Sequence, residues 1–165
     1  MNALPAVLAL LAASIGLLTD LRTRRIPNWL TASALIAGLV VNLLLGGPQG
    51  VLSALAGAGL GFLLLIPFYA IRAMGAGDVK FLAALGALLG PQTLLVAAAA
   101  GAVVGGLMSV IILARLGRLS LAVHQMFVMH TIPTPSGAKA PYGVAIASGV
   151  YLAVLRSWQM LPITN

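Results

Sequence analysis

The feature that most constrains this chain is a series of apolar runs separated by short breaks. They cover Ala3 to Thr19, Trp29 to Leu45, Val51 to Ile71, Val79 to Leu89, Thr93 to Ala114 and Tyr142 to Leu155. A membrane-spanning helix needs about 20 mostly apolar residues, fewer where its end lies within protein. The runs therefore predict an all-α integral membrane protein of six transmembrane helices, forming a single polytopic domain over residues 1–165. The fourth run is short and reads as a helix that starts inside the membrane boundary. Composition agrees: 61% of residues are hydrophobic and 7% charged, against about a quarter charged in soluble domains. The start, "MNALPAVLALLAASIG", lacks the basic segment of a signal peptide and reads as a first helix that is retained.

The breaks carry turn chemistry. "GGPQG" (46–50) and "GPQ" (90–92) are tight uncharged turns. "RTRRIPN" (22–28) ends in Pro-Asn, a start signal for the second helix, and Pro141 suits the first turn of the last. Glycines four apart, at 57 and 61, 86 and 90, and 101 and 105, read as close helix-packing seams.

Nine Lys and Arg give a formal charge of +7. On six spans, Arg22, Arg24, Arg25, Arg72, Lys80, Arg115, Arg118 and Lys139 fall on one side and Arg156 alone on the other. By the positive-inside rule those loops are cytoplasmic and both termini external. The charge is thus read as topology, with anionic lipids as partners and no nucleic acid. Residues 115–138 include Leu116, Leu119, Ala122, Val123, Met126 and Phe127 at helical spacing, predicting a short amphipathic cytoplasmic segment between helices 5 and 6. His124 and His130, six apart, match no common metal spacing and read as solvated loop residues; no metal or other cofactor is expected.

Against this background the two acids, Asp20 and Asp78, stand out, since the chain has no others. An aspartate near the bilayer is costly and functional by default. Each also has a plain structural reading: Asp20 pairing with Arg24 one turn later, and Asp78 capping the fourth helix. Together, at the cytoplasmic ends of two helices, they suggest a pair that shares a proton and a water, the chemistry of an aspartic protease. A dipole argument casts Asp78, at a helix start, as base and Asp20, at a helix end, as acid. Gly75 and Gly77 then let an extended substrate backbone approach, and permit φ > 0 at the turn into the helix.

"GAGDVK" (75–80) resembles the Gly-x-Gly-Asp motif of intramembrane aspartic proteases, in the GxGDxK form of type IV prepilin peptidases. "DLRTRRIPNWLT" (20–31) is similar to that family's first-aspartate segment, and "APYGVAIASG" (140–149) resembles its Pro-Tyr-Gly stretch. The resemblance implies a six-helix endopeptidase of the cytoplasmic (inner) membrane that removes prepilin leaders at the cytoplasmic face. Its catalytic pair is Asp20 and Asp78, with Gly75, Gly77, Lys80, Pro27 and Asn28 as motif positions near the substrate. Lys80, Arg22, Arg24 and Arg25 are open between substrate and lipid contacts. The larger bifunctional members also N-methylate the product and carry a cysteine-rich zinc domain; with 19 residues before Asp20 and no cysteine, this chain resembles the short Flp/Tad-type members, and methyl transfer is not expected.

Two alternatives stand beside this reading. Another GxGD protease, preflagellin- or signal-peptide-peptidase-like, is one, although the latter family usually has Tyr-Asp where this chain has Thr19-Asp20. A proton- or cation-conducting subunit is the other. It needs polar residues through the bilayer depth, where this chain offers little beyond Asn42.

Overall fold

The computed structural model describes residues 2–71, 74–117 and 142–159. These form α1 (Ala3–Thr23), α2 (Asn28–Ala70), α3 (Ala76–Arg115) and α4 (Tyr142–Gln159). No strand occurs among the described residues. The fold is all-helical, and α1, α2 and α3 are each long and apolar enough to cross a membrane. The predicted amphipathic segment, with His124, His130, Arg118 and Lys139, lies outside the described residues, as does Arg72.

A straight 43-residue α2 would be about 64 Å long, twice the thickness of a bilayer core. It is not straight. Gly47 adopts φ 58° and ψ −145°, a conformation open essentially to glycine alone, and Pro48 follows. The chain reverses there: a Cβ placed on Gly50 would strike the carbonyl of Asn42, eight residues back. In α3 the same device recurs. Gly90 has φ 74° and ψ 169°, Pro91 follows, and Leu94 lies back against Gly86. In each case proline, which has no N–H to leave unpaired, opens the returning limb. The two breaks fall within the two expected uncharged turns. Because each is confined to one glycine, the four helices include two that are folded hairpins. Gly90 is thus a reversal point as well as part, with Gly86, of the backbone surface that meets Gly57.

The limb 76–89 of α3 is the most enclosed element. Phe81, Leu85 and Leu88 are fully buried, and Val79, Leu82, Ala84, Ala87 and Leu89 nearly so. Glycines on its neighbours let backbones approach it. Gly16 of α1 lies under the Phe81 ring, and Gly38 of α2 sits against Ala87. Gly57 and Gly61, on the second limb of α2, meet Gly86 and Leu82. A helix so surrounded meets protein rather than lipid along its length, which is why a short apolar run suffices. A polar tie joins it: the Asn42 side-chain amide donates to the Ala87 carbonyl at 2.9 Å. In an apolar medium such bonds help fix helix register.

The outer limb of α3 packs against α4 through Gly101 and Gly149, which approach Ala145 and Ala97. These contacts make the two antiparallel. The Ser14–Tyr151 hydroxyl contact and the Asp20–Gly143 bond do the same for α1 and α4. The starts of α2, α3 and α4 therefore gather at the end where α1 finishes. Exposed Arg22, Arg24, Arg25, Lys80 and Arg115 lie toward that end, and Arg156 toward the other.

Gly86→Val should cost toward the upper end of about 1–3 kcal/mol, because the added atoms meet the Gly57 backbone, which cannot swing aside. Gly59, with open space at its Cβ position, is the contrast: Gly59→Ala should be neutral or stabilising by up to about 1 kcal/mol. Thermal unfolding in one detergent compares the two.

Candidate active site

Asp20 belongs to a stripe of buried small residues on α1. Ala6, Ala9, Ala13, Gly16 and Asp20 recur every three or four positions, so one face runs down the bundle and ends in a carboxylate. The helix continues past Asp20 to Thr23, rather than stopping at Thr19 as expected. It is closed by Arg24 in a left-handed conformation (φ 52°), whose N–H donates to the Asp20 carbonyl at 2.8 Å. Asp20 is 7% exposed. Its carboxylate does not pair with Arg24 but accepts from the Gly143 N–H, at 2.9 Å. Gly143 must be glycine for this: a Cβ there would fall 2.7 Å from the Asp20 Cβ and 2.8 Å from Oδ2.

Asp78 sits in the first turn of α3, which starts at Ala76, three residues before the expected start. Its N–H donates to the Gly75 carbonyl at 3.1 Å, and its Oδ2 accepts from the Gly75 N–H at 3.2 Å. Part of the capping reading is thus realised. The carboxylate also lies within electrostatic reach of the Tyr142 phenol. Asp20 thus accepts a hydrogen bond from Gly143, and Asp78 lies near enough to influence the adjacent Tyr142, both at the start of α4.

This geometry removes the basis of the dipole argument for separate roles. Asp20, though late in α1, meets the N-terminus of α4, while Asp78 sits at the N-terminus of α3. Both carboxylates face the same kind of helix end, so dipoles no longer tell them apart.

The Ile-Pro-Asn segment completes the cluster. Ile26 is buried and approaches the Gly77 Cβ position at 3.6 Å. Pro27 is the N-cap of α2, its carbonyl accepting from the Leu30 N–H at 3.1 Å, and Asn28 is the first, exposed residue of that helix. Lys80 is exposed. The expected left-handed backbone at Gly75 and Gly77 is not found. Gly75 has φ −80°, and among the described residues the glycines of positive φ are Gly47, Gly90 and Gly117. Nor does packing demand glycine: a Cβ on Gly75 or Gly77 would make only ordinary contacts, at 3.4 Å and 3.6 Å.

Sequence reasoning assigned no site role to Tyr142, Gly143 or Ile26, although all three lie in segments it singled out. The signal for Gly143 was the third motif itself, which needs a reason for glycine immediately inside a helix.

A family model, the type IV leader peptidase family, matches residues 6–110. The chain belongs to this family. Prepilin leader peptidase/N-methyltransferases from Burkholderia pseudomallei are 44% identical to it over 108 residues, covering 59% of this chain and 34% of theirs. The protein of the same description from Aeromonas hydrophila is 39% identical over 98 residues, covering 55% and 33%. The match thus spans about a third of the length of these curated relatives. No solved structure matches significantly. Family membership and the apolar helices make this leader-peptidase relative a multi-pass membrane protein.

Gly143→Ala should push the Asp20 carboxylate out of position and, for the peptidase activity proposed below, lower turnover about ten- to a hundredfold. The helical circular-dichroism spectrum should be retained. Wild-type turnover of a leader-bearing substrate by this variant would show that the Asp20–Gly143 contact is dispensable.

Proposed function

We propose that this chain is an aspartic endopeptidase that removes the leader peptide from type IV prepilins, of the Flp type, at the cytoplasmic face of the inner membrane. The observation that carries the reading is the convergence of Asp20 and Asp78 on the start of α4. Family membership and the prepilin-peptidase descriptions of the relatives support the substrate class.

In this reading one carboxylate takes a proton from a water, which adds to the carbonyl carbon of the scissile peptide. The other, protonated, donates to the carbonyl oxygen and so stabilises the tetrahedral intermediate. Collapse of the intermediate, with a proton passed to the leaving nitrogen, releases the leader as a free acid and the pilin as a free amine. No cofactor takes part. Gly75 and Gly77, which neither backbone geometry nor internal packing requires to be glycine, leave room beside Asp78 for an extended substrate backbone.

The membrane arrangement we propose is a single domain of six spans, counting each hairpin as two, with termini external. The basic residues at the aspartate end then face the cytoplasm and its anionic lipids. The prepilin's basic leader and apolar helix meet the enzyme at that boundary, with Lys80, Pro27 and Asn28 close to the entering chain.

Purified protein in lipid should cleave a matching prepilin. Asp20→Asn and Asp78→Asn should each reduce kcat by more than about a thousandfold, leaving insertion and thermal unfolding essentially intact. Activity close to wild type in either variant would end the aspartic reading.

A further inference from the structure

An apolar cavity of ≈520 Å³ lies on the side of α3 away from α1. The second limb of α2 contributes Leu64 and Phe68, and the start of α4 contributes Tyr142. Leu82 closes it toward the buried limb, and the outer limb of α3 lines it with small residues down to Gly106 and Ser109. Its size falls within the about 300–1,000 Å³ of ligand-binding clefts. Of its lining glycines, Gly101 and Gly105 pack against Ala145, whereas a Cβ on Gly106 would find nothing within 4 Å.

Small residues beside a lipid-sized gap say little alone. What distinguishes this cavity is where it ends. Tyr142 is part of its wall, and it directly precedes Gly143, whose N–H donates to the Asp20 carboxylate. Met74, one residue before the GxGD glycine, lines it too. A peptide bond presented to the two aspartates therefore has an apolar space next to it, bounded by the residues that precede Gly75 and Gly143, the hydrogen-bond donors to Asp78 and Asp20.

We propose that this cavity is the specificity subsite of the enzyme, taking the first apolar side chain of the pilin segment that follows the scissile bond, with Tyr142 as the wall between subsite and catalytic carboxylate. The inference rests on the peptidase reading above. An acyl chain shares the apolar chemistry but has no peptide carbonyl to place at the aspartates. The substrate's apolar segment supplies both, and it displaces whatever lipid rests there.

The experiment narrows the cavity and varies the side chain it would hold. Two prepilins, differing only in Phe or Ala at the first position after the cut, are cleaved by wild type and by Gly106→Leu in lipid nanodiscs. The new side chain enters open space, so it should insert without strain. The preference for the Ala over the Phe substrate, as a ratio of kcat/KM, should rise about tenfold or more in the variant. An unchanged ratio would overturn the subsite. Should Gly106→Leu fail to fold, the wild-type enzyme gives a second readout through a photoreactive side chain at the same substrate position. Crosslinks within residues 64–68 or 102–109 support the assignment, and crosslinks confined to lipid or to other faces overturn it. Loss of cleavage in both Asp→Asn variants alongside a negative result here removes the subsite alone, whereas a wild-type enzyme that cleaves neither prepilin removes the peptidase reading itself.

Discussion

The constraint on which the structure depends is the close approach of Gly57 and Gly86, backbone against backbone, one turn before the reversal at Gly90. Water drives little of this, because lipid tails are as apolar as leucine; close packing and interhelical hydrogen bonds must hold the helices together. Glycine permits that packing, and the limb 76–89 receives it from several sides at once: Gly16, Gly38, Gly57 and Gly61 all turn toward it. Substitution of any of these glycines drives a Cβ into a neighbour, and in three of the four that neighbour includes main chain. The limb has correspondingly little freedom to slide. Since Asp78 is in its first turn, the packing of a dozen apolar residues fixes the height of one candidate catalytic group.

The other aspartate is held by a different logic. Asp20 ends the small-residue face of α1, and its position along the bundle follows from the Ala6, Ala9, Ala13 and Gly16 packing above it. Its carboxylate is fixed laterally by one hydrogen bond, from the Gly143 N–H, at a site too tight for any side chain. That donor is among the N–H groups at the start of a helix that have no intrahelical partner. One interaction therefore satisfies a helix end and orients an acid. Both roles need the same glycine, so in this structure the third sequence motif is a structural part of the site made by the first.

Much of this was legible in sequence, for identifiable reasons. The apolar runs, the two Gly-Pro turns and the two lone acids are local signals, and local signals predict local structure: reversals occur at Gly47 and Gly90, and α2 begins at Asn28. What was not legible depends on tertiary approach. That Gly75 and Gly77 would have ordinary helical or extended backbone could not be read from a motif whose glycines suit a turn equally well. The plain structural partner that local spacing offers Asp20 is Arg24, four residues away, whereas the bond found joins residues 123 apart. A backbone N–H leaves no trace in composition. Only the glycine that makes room for it does, and glycine has many uses.

The location of the pair at the bundle's end, rather than its middle, is itself a functional argument. An aspartate at mid-bilayer costs about 2.5–3.5 kcal/mol on insertion scales, and peptide hydrolysis also requires water to arrive with each turnover. At the end of α1 and the start of α3, the carboxylates lie among helix termini whose unpaired backbone groups already call for polar partners. Toward the opposite end, the buried face of α1 is proline, alanine and glycine. A conducting pathway would need polar groups along that face as well. The gradient from apolar interior to polar rim suits a site that receives a substrate from the membrane and water from outside it, which is the arrangement a leader peptidase requires.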